Sequence, residues 1–111
     1  MPESLQAFKA DFFRALAHPL RIRILELLSG GDRTVQELQQ LLAVEQPVVS
    51  QQLSVLRSKR IVTAKKLGTA VHYTLSDPLI TKLLAVAREI FNNHLAETQT
   101  MLRELQRERR R

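Results

Sequence analysis

The hydrophobic period of this chain changes twice, and those two changes limit its fold more than any other feature. Up to about Lys59 apolar residues recur every three or four positions; from Ile61 to Leu75 the chain is β-rich; after Asp77 the helical period returns. Within the first stretch, Ser4 is placed to cap a helix whose apolar residues Leu5, Phe8, Phe12 and Leu16 share one face. That helix should end near Ala17-His18, because Pro19 biases the preceding residue away from helical backbone. Pro19 suits the first turn of a second helix carrying Ile22, Leu25 and Leu28, and Gly30-Gly31 stops it. Thr34-Val35-Gln36-Glu37 then reads as a capping box, in which the Thr34 hydroxyl and the Glu37 carboxylate each satisfy an orphan N–H of the next helix. Leu38, Leu41 and Leu42 give that third helix its buried face.

A three-residue connection, Ala43-Val44-Glu45, leads to Gln46-Pro47 and a fourth helix running to about Lys59, with Val49, Leu53 and Leu56 as its core stripe. The runs Ile61 to Leu67 and Thr69 to Leu75, broken at Gly68, predict a short hairpin. Asp77-Pro78 opens a long final helix with apolar positions at 80, 83, 84, 87, 90, 91, 95, 102 and 105, and Asp77 is its expected cap. The predicted order is helix, helix, helix, helix, hairpin, long helix. That is a mainly α fold with a small β-hairpin, a dimeric winged helix-turn-helix forming a single domain over 1–111. Residues 34–59 are the helix-turn-helix, 61–75 the wing and 78–107 a C-terminal dimerisation helix. The last of these spans roughly 28 residues, or ~42 Å, more than a domain of this size can cover alone. Its apolar positions wrap more than one face, so a second copy of the chain is the expected cover.

A length of 111 residues suits one domain. The net charge of +6 favours a polyanionic partner, nucleic acid before an acidic membrane surface. The last nine residues hold five Arg and two Glu, so they supply +3 of that +6 and the remainder is only mildly basic. There is no cysteine, which removes disulfides, thiolate metal ligands and thiol switches. The start, Met1-Pro2-Glu3-Ser4, lacks the pattern of a secretory signal, and the longest apolar run, Leu83 to Ala87, is far too short for a membrane span. A cytoplasmic protein without a membrane partner is expected.

The second helix of a helix-turn-helix lies in the major groove with its N-terminal residues at the base edges. It needs one apolar face to hold it and short hydrogen-bonding side chains on the other. Gln46-Pro47-Val48-Val49-Ser50-Gln51-Gln52-Leu53 meets both needs, with Val49 and Leu53 inward and Gln46, Ser50 and Gln51 outward. Glutamine can pair with adenine N6 and N7, and serine tolerates several bases. No acidic residue falls between Gln46 and Arg60, which speaks against an ordinary solvated face. Arg57, Lys59 and Arg60 are candidates for phosphates, which position a helix without reading sequence. The predicted DNA-contacting set is Gln46, Pro47, Ser50, Gln51, Ser54 and Arg57, with Lys65, Lys66, Thr69 and His72 from the wing. Lysines on a hairpin also serve to guard an edge strand; beside a DNA-reading helix, phosphate or minor-groove contact is the favoured role.

Three segments resemble the ArsR/SmtB type of bacterial winged-helix repressors: Phe13 to Leu25 (FRALAHPLRIRIL), Gln46 to Arg57 (QPVVSQQLSVLR) and Lys66 to Leu75 (KLGTAVHYTL). With the element order, the resemblance covers about residues 5–98. It implies a homodimer paired through the first and last helices, double-stranded operator DNA of two-fold symmetry as partner, and release by an inducer, often a metal ion. The cysteine site that many relatives carry on the third helix is absent, with Thr34 and Gln36 at the corresponding positions. Of the site that others build on the last helices, Asp77 is kept while Leu79, Ile90 and Asn93 stand at the other ligand positions. His94 and Glu97, three apart on one face, are the remaining candidates for a divalent ion such as Ni or Zn, completed from a second chain. A surface histidine beside a carboxylate is the plainer explanation of the pair. A winged helix that binds protein instead of DNA is the reading from another class. An enzyme is not expected: there is no cysteine nucleophile, no glycine-rich phosphate loop and no local His-carboxylate-serine motif.

Overall fold

A computed structural model describes residues 4–110; the readings placed on Met1, Pro2 and Glu3, and Arg111 of the basic end, lie outside the described residues. The elements are α1 (Leu5–Leu16), α2 (Pro19–Ser29), β1 (Arg33–Thr34), α3 (Val35–Leu42), α4 (Gln46–Ser58), β2 (Val62–Leu67), β3 (Ala70–Leu75) and α5 (Leu79–Arg109). Two compact units result, the first ending at Ile80 and the second, the body of α5, beginning at Thr81.

The helix starts are fixed by side chains that take up orphan backbone donors. Ser4 Oγ accepts from the Ala7 N–H at 3.1 Å. His18 Nδ1 accepts from the Leu20 N–H at 3.1 Å, immediately ahead of Pro19 in the first turn of α2. Thr34 and Glu37 form the complete capping box of α3, and Asp77 Oδ1 accepts from the Leu79 N–H at 2.9 Å. At the other end of α2 the chain leaves through Gly30 and Gly31, the latter at φ +136°, a backbone conformation that side chains rarely adopt.

The core of the first unit joins Ile24, Leu25 and Leu28 of α2, Leu38 and Leu42 of α3, and Val49, Leu53 and Leu56 of α4, with Ala15, Ile61, Val62 and Ile80. No polar side chain is buried among the described residues. Two expected core positions differ. Ile22 is exposed and Ile24 is fully buried in its place. Positions 22 and 24 point to nearly opposite sides of a helix, and the i, i+4 row Ile24–Leu28 is the one that meets α3 and α4. Leu41 is 47% exposed because the Leu38–Leu42 row takes the inward face of α3.

The wing is an antiparallel β2–β3 hairpin in register from Val62↔Leu75 to Leu67↔Ala70. A short third strand that sequence did not suggest, β1, joins its far edge through Arg33↔Tyr73 and Thr34↔His72, giving the order β1-β3-β2. Arg33 Nε donates to the Leu27 carbonyl at 3.1 Å, tying β1 back to α2.

The wing leaves α4 through a Schellman turn made without glycine. Arg60 N–H donates to the Arg57 carbonyl at 3.0 Å and Ile61 N–H to the Leu56 carbonyl at 2.9 Å. Arg60 holds the left-handed φ of +59° that glycine usually supplies, and the accompanying apolar contact is supplied by Leu56 and Ile61, both buried. Ser76 Oγ then donates to the carbonyls of Arg60 and Ile61 at 2.6 and 2.9 Å, closing the base of the hairpin.

Candidate nucleic-acid interface

The buried row of α4 decides what its other side offers. Val49, Leu53 and Leu56 are 0%, 1% and 0% exposed. Spaced four and three apart, they commit one face of the helix to the core. Gln46, Pro47, Gln51, Ser54 and Arg57 are therefore exposed, and Ser50 is half-buried. The three-residue turn before α4 depends on Ala43, which adopts φ +55° and donates to the Gln39 carbonyl at 2.9 Å.

Gln52 belongs to the scaffold, unlike its neighbour Gln51. Its Oε1 accepts from an Arg21 guanidinium nitrogen at 2.9 Å. The same guanidinium donates to the Ala15 carbonyl at 2.6 Å and to the Arg14 carbonyl at 3.3 Å. One side chain thus takes up carbonyls at the end of α1 and fixes them to α4. Sequence reasoning missed this clamp because its two side chains stand 31 positions apart.

At the far end of α4, Arg57 and Arg60 are exposed. Lys59, expected with them to meet phosphates, instead places Nζ 2.9 Å from Asp11 Oδ2. That hydrogen bond, with the charges of Lys59 and of Arg14 at 3.9 Å, holds the Asp11 carboxyl below its ordinary value of 3.8.

β2 packs against α4, so the wing and this helix belong to one unit. Lys65, Lys66 and Thr69 are exposed, and Gly68 makes the tip with φ +64°. Lys65 stands across from His72 and Lys66 across from Val71. Successive side chains leave opposite faces of a strand, so the two lysines diverge and do not form one patch. His72 is half-buried, its Nδ1 3.3 Å from Asp32 Oδ2, which links β3 to the turn ahead of β1.

On α5, His94 and Glu97 are exposed, and among the described residues no group of three His, Cys, Asp or Glu converges as metal ligands do. Among the same residues no helix is long and apolar enough to cross a membrane.

Comparison with known proteins gives a consistent set of matches. The family model of the bacterial regulatory proteins of the arsR family matches residues 18–64. The HTH-type transcriptional regulator Rv0081 of Mycobacterium tuberculosis is 45% identical over 104 residues, 93% of this chain and 91% of that protein. Its crystal structure superposes with a TM-score of 0.80 at 46% identity, covering 87% of this chain and 98% of that one. The homodimeric winged helix-turn-helix DNA-binding domain of Mb0332 from Mycobacterium bovis, solved by NMR, gives a TM-score of 0.75 at 27% identity, over 86% of this chain and 93% of that one. A transcriptional repressor SmtB homolog of Synechocystis is 37% identical over 89 residues, 80% of this chain and 64% of the relative.

Proposed function

This chain belongs to the ArsR family of bacterial regulatory proteins and is a transcriptional regulator, not an enzyme; from that premise we propose that it is a repressor that binds two-fold symmetric operator DNA as a homodimer in the cytoplasm. The observation that carries the reading is the division of α4: an apolar row sunk in the core and Gln46, Pro47, Gln51 and Ser54 exposed on the remaining surface. With α4 in the major groove, Gln51 and Gln46 read base edges, Ser50 and Ser54 supply adaptable hydroxyls, and Arg57 meets backbone phosphate. Lys65 and Lys66, on opposite faces of β2, meet the backbone on either side of the wing, with Thr69 beside its tip. His72 takes a different part from the one its sequence position suggests, anchoring the wing through Asp32.

The exposed apolar residues of α1 and α5 support dimerisation. Leu5, Phe8 and Phe13 on α1, and Ile90, Phe91 and Leu95 on α5, are all more than half exposed in the single chain. Apolar surface on that scale is usually covered by a partner. Within the first unit, an open groove of about 430 Å³ beside Phe8, Phe12 and Lys59 adds to the exposed apolar surface of α1. Two copies joined in this way present two α4 helices to successive major grooves, ~34 Å apart. Sensing does not use thiolates, since the chain has none. A metal-responsive regulator is the alternative reading, in which His94 and Glu97 would supply two ligands to a divalent ion and the second chain the rest.

The test is a titration of the protein on DNA from upstream of its own gene, repeated across salt concentration and with a panel of divalent metals. Tight binding that weakens steeply with salt is expected, because each neutralised phosphate releases counterions. Salt-insensitive or undetectable binding contradicts the reading. An affinity change confined to nickel or zinc, lost in His94→Ala, identifies the metal-responsive form.

A further inference from the structure

One residue of the exposed face of α4 is out of character with the rest. Val48 is 38% exposed in the first turn of the helix, among Gln46, Pro47 and Gln51. The core does not use it: Val49, Leu53 and Leu56 fill the inward row. Three positions on, Gln51 is its neighbour along the helix surface, and four positions on, Gln52 is immobilised by Arg21. Val48 therefore stands between a free amide and a fixed one, at the end of the helix that reaches deepest into a groove. Its backbone is held by the N–H that donates to the Glu45 carbonyl at 3.1 Å. A β-branched side chain in a helix keeps essentially one rotamer, so its two methyls have a defined position. They form a rigid apolar knob on a surface otherwise suited to hydrogen bonding.

Duplex DNA offers one apolar group on the major-groove edges of its bases, the C5-methyl of thymine. Resting on the reading of α4 as the base-contacting helix, we propose that Val48 is a specificity-determining residue that packs against the C5-methyl of a thymine in each half-site, next to the base contacted by Gln51. The recognised step is then rich in A·T pairs, with the Gln51 amide suited to adenine N6 and N7 and the valine suited to a neighbouring methyl. The contact disfavours cytosine at that position through the absence of a methyl, without any hydrogen bond to the base.

The experiment starts from duplexes that the full-length protein selects from a random pool. Each thymine of the selected half-site is then replaced in turn by deoxyuridine, which deletes only the methyl. Affinities are measured for the wild type and for Val48→Ala, a change at an exposed helical position that leaves the core intact. One thymine per half-site is expected at which deoxyuridine weakens the wild type about fourfold, or about fifteenfold when both half-sites are changed, the value of burying one methyl. Val48→Ala is expected to bind the thymine and uracil duplexes alike. A wild type indifferent to the methyl at every position overturns the inference, as does a Val48→Ala variant that still responds as the wild type does. A pool that yields no enriched sequence overturns the reading of α4 itself, and that result is distinct from an enriched site that ignores its methyls.

Discussion

α4 and α5 are both amphipathic helices, and they treat their apolar residues in opposite ways. In α4 the stripe Val49, Leu53 and Leu56 is withdrawn from solvent within a single chain. In α5 only Ile80 is buried, while Val86, Ile90, Phe91, Leu95, Met101, Leu102 and Leu105 remain between 53% and 63% exposed. The same periodicity therefore means two things. In α4 it fixes the helix to its own domain and leaves the other face exposed. In α5, 31 residues long, the apolar stripe stays exposed in the single chain, and the proposed dimer is what would cover it. An apolar stripe shows that a face will be covered, and the length of the helix relative to the domain shows whether the same chain can cover it.

The sharpest way to break this contrast is a matched pair of truncations. Leu53→Ala is expected to cost about 2–5 kcal/mol in chemical denaturation, since it leaves a cavity in a close-packed core. Leu102→Ala, also a leucine truncation, should leave the unfolding of the first unit unchanged and act only on the concentration at which dimers form. Equal losses from the two would show that α4 and α5 are packed alike.

A second, smaller effect is expected at the clamp that holds α4 in place. Arg21→Ala removes the guanidinium bonded to Gln52, Ala15 and Arg14, and about 1–3 kcal/mol should be lost for the polar groups left unpaired. Arg21→Lys should restore little of it, because an ammonium cannot span three acceptors in the fixed fork of a guanidinium.

Much of this was legible in sequence wherever the determinant is local. The Thr34–Glu37 box, the His18-Pro19 break and the four-three spacing of Val49, Leu53 and Leu56 each depend on residues within about one or two helical turns, and each reads directly from the chain. What escaped is non-local or too short to carry a period. β1 has two residues and exists only because β3 lies alongside it. The choice between Ile22 and Ile24 depends on where α3 and α4 sit. Helical spacing set Gln51 outward and left Gln52 out of the contacting set, but only the position of Arg21 shows what holds Gln52. The turns at Ala43 and Arg60 take left-handed backbone without the glycine that would have marked them.

Arg60 gives a third, still smaller prediction. A non-glycine residue in left-handed backbone is strained, so Arg60→Gly should stabilise the fold by up to ~1 kcal/mol while lowering DNA affinity, if its guanidinium serves phosphate. Denaturation and binding measured on the same preparation separate the two effects.

The smallest effect concerns pH. Asp11 is held below its ordinary value by Lys59, so the native state binds fewer protons than the unfolded chain in the acid range. Its contribution to stability is therefore complete above about pH 4 and is lost as pH falls through the lowered value. Asp11→Asn should flatten the acid limb of the stability profile slightly and leave the neutral region nearly unchanged.

The most direct test of the account compares Gln51→Ala with Lys66→Ala on a selected operator and on unrelated duplex of the same length. Gln51→Ala should relax discrimination at one base pair by about 1–3 kcal/mol and leave binding to unrelated DNA intact. Lys66→Ala should weaken both duplexes alike and reduce the salt slope by about 1. Equal loss of discrimination from both variants, or none from Gln51→Ala, would contradict the assignment of the exposed face of α4 to base reading.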